Sequence, residues 1–136
     1  MTAEGLSRLK TVAAGAGLFL AGLLGGADPL LYTLVGFTAA DCLTGILKAV
    51  IRRELRSARM FSGGLRKLLI YVVVAVAAAL DNLFPADGLA FRGLTIGYYI
   101  ANEGLSILEN AALCGLPLPE RLKSVLAGMT AETLRN

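Results

Sequence analysis

The sequence predicts an all-α membrane protein with about four transmembrane helices. Of its 136 residues, 56% are hydrophobic and only 17% are charged, below the roughly 25% of a soluble domain. The mean hydropathy is +0.68. Four apolar stretches are long enough to approach or cross a bilayer, and none alternates with the period of two that a barrel strand needs. Helices are therefore expected, because each one satisfies its own backbone hydrogen bonds in lipid.

The four spans are expected at about residues 11–27, 29–51, 66–84 and 94–115 of a single domain that covers residues 1–136. The first stretch carries no charge but is short for a span. Pro29 begins the second stretch after a Gly-Gly turn, and Pro85 follows the third. The fourth contains two glutamates, so it is the most polar of the four.

Basic residues predict the orientation of these helices. A cytoplasmic basic loop is expected at residues 52–67, whereas the connections on the other side hold few cations. By the positive-inside rule, both termini and this loop lie in the cytoplasm. The loop is also expected to bind anionic lipid headgroups rather than nucleic acid, and Ser62-Gly63-Gly64 predicts a break before the third helix. Its basic residues are Arg52, Arg53, Arg56, Arg59, Arg66 and Lys67.

Small residues repeat along the first stretch and allow close approach of another helix. They would serve equally well for packing within the chain or for contact between subunits. An alternative is that this stretch is a cleaved signal peptide, or that it lies on the membrane surface. The small-residue face comprises Ala13, Gly17, Ala21, Gly22, Gly25 and Gly26.

The fourth stretch carries a polar stripe. At about 100° per residue, Asn102, Ser106 and either Glu109 or Asn110 fall on one helical face, with Glu103 at its edge. Ionisable groups at membrane depth usually face protein or a water-filled path. This stripe is therefore expected to line a subunit seam or a hydrated lumen.

Two ionisable residues interrupt the second stretch. Asp41 lies deep in it and is expected either to form a polar lock, against Thr44 or a donor from another segment, or to line a hydrated path. Lys48 lies seven residues further on, too far along the axis to pair with Asp41. Its long side chain is expected to reach the cytoplasmic edge.

A cytoplasmic tail is expected at residues 117–136. Pro117 and Pro119 end the fourth span, and Leu122, Val125, Leu126 and Met129 then recur at helical spacing. This pattern predicts a short amphipathic helix on the inner membrane surface.

The residue types argue against an enzyme. The chain has no His and only two distant Cys, and the two glutamates of the fourth stretch are not accompanied by a nucleophile or metal ligands, so no catalytic residue, cofactor or metal site is expected.

Four short strings resemble the toxin-secretion and phage-lysis holin family. The string E-G-L-S-I-L-E-N is quite specific, whereas the string D-x-x-T-G at Asp41 would be weak by itself. The resemblance covers roughly residues 35–126. The strings are D-C-L-T-G-I-L-K-A (Asp41–Ala49), S-G-G-L-R-K (Ser62–Lys67), N-E-G-L-S-I-L-E-N-A (Asn102–Ala111) and G-L-P-L-P (Gly115–Pro119).

The resemblance implies a multi-pass protein of the bacterial cytoplasmic membrane that forms homo-oligomers. Members of this family open lesions through which a cell-wall hydrolase (endolysin) or a large toxin leaves the cell as cargo. Two alternatives remain open at this point. One is a membrane subunit that passes a small solute or ion without lysis, and the other is a passive scaffold that positions partners through the basic loop.

Overall fold

Five helices make up the described part of the chain. The computed structural model describes residues 2–85 and 90–133, and these ranges contain no strand. The helices are α1 (Ala3–Leu23), α2 (Pro29–Ile51), α3 (Ser57–Leu83), α4 (Phe91–Leu113) and α5 (Glu120–Thr133).

Local sequence signals explain most of the helix ends. The Asp28 side chain caps α2 by accepting the Leu31 N–H at 2.9 Å, and Pro29 occupies the first turn, where its missing N–H costs nothing. After α1 the chain turns through Gly25 and Gly26, with φ of 83° and 113°. After α4 it turns at Gly115, with φ of 90°. Glycine adopts these conformations without the steric strain that a Cβ brings.

The third helix is longer than the sequence predicts. It begins at Ser57, inside the segment expected to be a loop, and it runs without interruption through Ser62, Gly63 and Gly64. The predicted break at these residues is therefore wrong. Each glycine disfavours a helix interior by about 1 kcal/mol, and the leucine, methionine and arginine neighbours are good enough helix formers to continue the helix through the pair. Arg59, Arg66 and Lys67 consequently lie on α3.

The α4 helix forms the centre of the bundle, because it packs against both α2 and α3, while α2 and α3 touch each other little. The core cluster joins Leu34 of α2, Ile70 and Val74 of α3 and Ile96 of α4. The α1 helix lies at the side and has no buried residue. This arrangement lets α4 present polar side chains to two neighbours at once.

The apolar surface of the bundle is that of a membrane protein. Among the described residues, α1, α2 and α3 are long and apolar enough to cross a membrane. Large apolar side chains such as Leu18, Phe19 and Leu68 are mostly exposed. Such a surface is unfavourable in water but is compatible with contact to lipid. The α4 helix is more polar and is not among these three helices. That α4 is a fourth span therefore remains a prediction.

A helix is present where the sequence predicts the C-terminal amphipathic helix, and this helix, α5, contacts α4. Leu122 and Val125 are about half exposed on it. The side chains of Leu126 and Met129, named in the sequence pattern, lie outside the described part, as do residues 134–136 of the predicted tail.

Candidate functional site

A buried cluster of charges joins the three central helices. The Lys67 ammonium of α3 lies 2.6 Å from the Asp41 carboxylate of α2 and also contacts the Glu103 carboxylate of α4. The exposed fractions of these side chains are 16%, 11% and 5% respectively. We name Asp41, Lys67 and Glu103 the charged triad.

The three members of the triad lie at one depth in the bundle. Asp41 precedes the end of α2 by ten residues, Lys67 follows the start of α3 by ten, and Glu103 precedes the end of α4 by ten. At 1.5 Å per residue, the triad lies about 15 Å from those helix ends. That is about half the thickness of a hydrocarbon core.

Neutral polar groups extend the triad along the helix interfaces. The Asn110 amide of α4 donates to Asp41 at 3.1 Å and to the Thr44 hydroxyl at 3.2 Å. Further from the triad, the Tyr71 hydroxyl of α3 donates to Thr38 of α2 at 3.1 Å. Within residues 2–85 and 90–133, every buried side-chain nitrogen or oxygen has a hydrogen-bond partner. The helices are thereby held in one register by polar contacts that lipid cannot replace.

The triad is charged asymmetrically, because one ammonium faces two carboxylates. A buried ion pair repays its desolvation only with good geometry and further hydrogen bonds, and here Asn110 supplies one of them. Asp41 and Lys67 also line a cleft of about 680 Å³ that opens between α2 and α3. The arrangement can therefore lock three helices together, and it lies where water entering the cleft would reach it.

A second polar cluster joins the opposite ends of the helices. The Arg92 guanidinium of α4 donates to the Asp28 carboxylate at 2.6 and 3.1 Å. It also donates to the Leu24 carbonyl, and to the Gly26 carbonyl at 2.9 Å. Arg92 thus satisfies carbonyls at and beyond the C-terminal end of α1 while pairing with the N-cap of α2. We name Asp28, Arg92 and these two carbonyls the arginine cluster.

The arginine cluster has an electrostatic consequence for Asp28. The hydrogen bonds from Arg92, and then that from the Leu31 N–H, lower the pKa of the Asp28 carboxyl from its ordinary 3.8 to about 2. Each of these donors favours the ionised form of the carboxyl. The Asp28–Arg92 pair therefore remains ionised across the physiological range.

The Asp81 side chain connects α3 to the start of α4. It accepts the backbone N–H groups of Phe91 at 2.6 Å and Arg92 at 2.9 Å. These donors have no partner within their own helix, so a carboxylate from another helix takes the place of a local N-cap. Together, Asp81 and Arg92 gather the ends of α1, α2, α3 and α4 at one end of the bundle.

The predicted polar stripe of α4 divides into two faces. Glu103 and Asn110 are buried against α2 and α3, and Ser106 is half-buried between them. Asn102 and Glu109 are exposed on the outside of the bundle. Residues seven apart lie on nearly the same line of a helix, so each pair forms its own line. The single continuous face that the sequence suggested is not what the helix presents.

Asp41 occupies the polar lock that was one of its two predicted environments, with donors from α3 and α4. Lys48 is half-buried and lines the same cleft. The remaining basic residues of segment 52–67 are exposed, and they are Arg52, Arg53, Arg56, Arg59 and Arg66.

Only part of the predicted small-residue face lies on α1. Ala13, Gly17 and Gly22 are exposed, and Ala21 is half-buried. Gly25 and Gly26 follow the end of the helix. A Cβ on Gly25 would lie 2.5 Å from Arg92 Cδ, so Gly25 serves the arginine cluster.

Sequence reasoning missed Arg92, Asp81 and the Tyr71–Thr38 contact. A usable signal existed for Arg92, since it is the lone cation in connections that otherwise hold aspartates. For Tyr71 no comparable signal existed, because its partner lies 33 residues away on another helix.

Comparison with known proteins assigns the chain to a family. A family model described as the bacteriophage holin family matches residues 18–131. The probable holin of Bacillus phage phi105 is 46% identical over 80 residues, which cover 58% of each chain. An uncharacterized 14.9 kDa protein in the nagH 3'region of Clostridium perfringens is 44% identical over 104 residues, covering 76% of this chain and 79% of the relative. The uncharacterized protein YqxH of Bacillus subtilis is 40% identical over 100 residues, covering 74% and 70%.

No solved structure matches the chain significantly. The family match extends over most of the sequence and confirms the resemblance carried by the four strings. This is not a family of enzymes. The chain belongs to the bacteriophage holin family.

Proposed function

We propose that this protein is a holin that forms homo-oligomers in the bacterial cytoplasmic membrane and opens a lesion there. The lesion would release a cytoplasmic endolysin or a large toxin. In this proposal α1 to α4 all span, both termini face the cytoplasm, and α5 lies on the inner surface. Family membership supports the general role, and the surface of the bundle supports the assembly.

The observation that carries the proposal is the outer line of α4. Asn102 and Glu109 are exposed there, on the helix that packs against both α2 and α3. Among the described residues no cation lies within 4.0 Å of the Glu109 carboxylate. Polar groups facing lipid are costly, so a second copy or a hydrated lumen is the stable environment for this line.

The open face of α1 supports the same assembly. A Cβ built on Gly17 or Gly22 would meet no neighbouring atom within 4 Å, so these glycines are not packed within the described chain. Close approach of another helix is what such small residues permit in lipid. Of the two predicted roles of this face, the open glycines therefore support contact between subunits over packing within the chain.

The experiment that tests the proposal follows two signals in one culture. The protein is expressed in a bacterium that contains a folded cytoplasmic reporter enzyme, and membrane potential and enzyme release are recorded together. Abrupt depolarisation with release of active enzyme is expected. Ion leak without enzyme release would instead favour a transport subunit, and unchanged permeability would favour a scaffold.

Two substitutions connect this outcome to the polar residues. Glu109→Gln alters the outer line, and Glu103→Gln removes one carboxylate of the triad. Each is expected to change the time of onset or the size of the largest protein released. Wild-type timing and release size in both variants would refute a role for these carboxylates in the lesion.

A further inference from the structure

We infer that the cleft between α2 and α3 binds the phosphodiester headgroup of one anionic membrane phospholipid per protomer. The cleft measures about 680 Å³, within the range of small-molecule sites. Its walls come from α2 and α3, and Ser106, Asn110 and Leu113 of α4 close its back. Such a site would bind lipid whether or not the protein opens a lesion.

The walls of the cleft are lined by small residues. Gly45 of α2 and Gly63 and Gly64 of α3 all line it. A Cβ on Gly63 or Gly64 would meet no neighbouring atom within 4 Å, so the space in front of them is open. The Gly63-Gly64 pair, which does not break α3, therefore leaves room in the cleft wall for a ligand.

The rim of the cleft carries an excess of positive charge. Lys48, Arg52, Arg56, Arg59 and Arg66 all line it. In the described ranges, only Arg52 of these five has a carboxylate within 4.0 Å, that of Glu54 at 3.4 Å. Guanidinium groups bind phosphate oxygens in a bidentate manner, so the rim is suited to a phosphodiester.

The charges at the base of the cleft limit how deeply the phosphate of the lipid can enter. Lys67 lies there, but Asp41 and Glu103 already contact its ammonium, and their two negative charges exceed its one. A phosphate is therefore repelled from the base and held at the rim. That position is at the helix ends near Ile51 and Ser57, where lipid headgroups meet a spanning bundle.

The surroundings of the rim suit a lipid rather than a free anion. Ile46 and Met60 also line the cleft and are 41% and 42% exposed, one on each wall. They offer apolar contact to acyl chains directly beside the cations. Apolar and cationic groups side by side match an amphipathic ligand, which inorganic phosphate is not.

The test measures lipid retention by the purified full-length chain. The protein is transferred into detergent micelles containing phosphatidylglycerol or phosphatidylcholine, and bound lipid is counted by native mass spectrometry. One retained phosphatidylglycerol per protomer is expected, with little phosphatidylcholine. Equal retention of the two lipids would overturn the inference, and so would displacement of phosphatidylglycerol by millimolar inorganic phosphate.

Matched variants separate the cleft from general attraction to the basic segment. Arg59→Gln removes a rim cation and is expected to weaken phosphatidylglycerol binding about ten-fold. Arg53→Gln makes the same charge change on an exposed residue that does not line the cleft, and it is expected to change binding less than about two-fold. Equal losses in the two variants would overturn the inference, because they would show surface electrostatics alone.

A second pair of variants tests the space without changing the charge. Gly63→Leu fills the cleft, whereas Gly36→Leu adds the same side chain at an exposed, open position of α2 outside the cleft. Loss of lipid retention only in the Gly63 variant is expected. Leucine favours a helix more than glycine does, so both variants should fold, which circular dichroism checks. Unchanged retention in a folded Gly63→Leu protein would overturn the inference.

Discussion

At the scale of single residues, Lys67 has the largest structural consequence. It contacts carboxylates from two other helices, so three helices depend on one ammonium group. Asp41 and Glu103 are both buried, and burying a carboxylate without a partner is costly. Removing the Lys67 ammonium therefore leaves both carboxylates without the cation that contacts them.

Replacing Lys67 by Met is expected to destabilise the protein by about 3–5 kcal/mol, because two buried carboxylates lose the cation that contacts them both. The measurement is thermal unfolding in mild detergent, followed by circular dichroism. Lys48→Met serves as the control, since the Lys48 ammonium has no carboxylate within 4.0 Å among the described residues. Adding Asp41→Asn and Glu103→Gln to Lys67→Met should recover most of the loss. Equal stability of the Lys67 and Lys48 variants would contradict this account.

Asp28 predicts a dependence of stability on pH. Its pKa of about 2 in the folded protein lies below the ordinary 3.8, so the Asp28–Arg92 pair stabilises the fold fully above about pH 4. That contribution declines as the pH falls from about 4 toward 2. Unfolding temperatures of wild type and Asp28→Asn should therefore differ at pH 5 and converge near pH 2. A difference that stays constant over this range would refute the role of the pair.

At the scale of elements, α4 has one side packed against other helices and one side at the surface. Its inner line holds Glu103 and Asn110 against α2 and α3, and its outer line holds Asn102 and Glu109 at the surface. The Gly25 turn anchors the other end of this helix by allowing Arg92 to approach the end of α1. The geometry of that turn therefore helps to fix the position of the start of α4.

Gly25→Ala is expected to destabilise the protein by about 1–3 kcal/mol. The φ of 83° is strained for alanine, and the new Cβ would lie 2.5 Å from Arg92 Cδ. Gly15→Ala on α1 is the matched control, because that position is helical and open, and it should be neutral or slightly stabilising. Thermal unfolding of the two variants provides the comparison. A Gly25→Ala protein as stable as the control would exclude a tight turn beneath Arg92.

At the scale of the whole molecule, the exposed apolar surface and the open face of α1 favour assembly with other copies of the chain. The α1 helix has no buried residue, although it is one of three helices apolar enough to cross a membrane. A helix with so little contact in its own chain gains most from contact with another. This is the level at which the proposed oligomer would form.

Gly17→Leu is expected to shift self-association toward smaller species by about ten-fold in dissociation constant, or about 1.4 kcal/mol. Cross-linking in native membranes measures the change. Gly15→Leu is the control, since residues two apart point to nearly opposite sides of a helix. Equal effects of the two variants would show that the small-residue face is not the contact surface.

The sequence by itself determined the fold class, the membrane environment and the family. These follow from hydropathy, helical length and local strings such as N-E-G-L-S-I-L-E-N-A, all of which are properties of neighbouring residues. For Asp41 it left open a polar lock or a hydrated path. The start of α3 was misplaced because a glycine pair weakens a helix without ending it.

The tertiary structure alone decided which polar residues meet. Asp41, Lys67 and Glu103 are separated by 26 and 36 residues, and only the packing of α4 between α2 and α3 places them at one depth. The same packing turned Glu103 inward and left Glu109 outside, although helical periodicity allowed both on one stripe. Periodicity gives the angular position of a side chain around the axis of its helix. Which residue that side chain contacts depends on where the other helices lie.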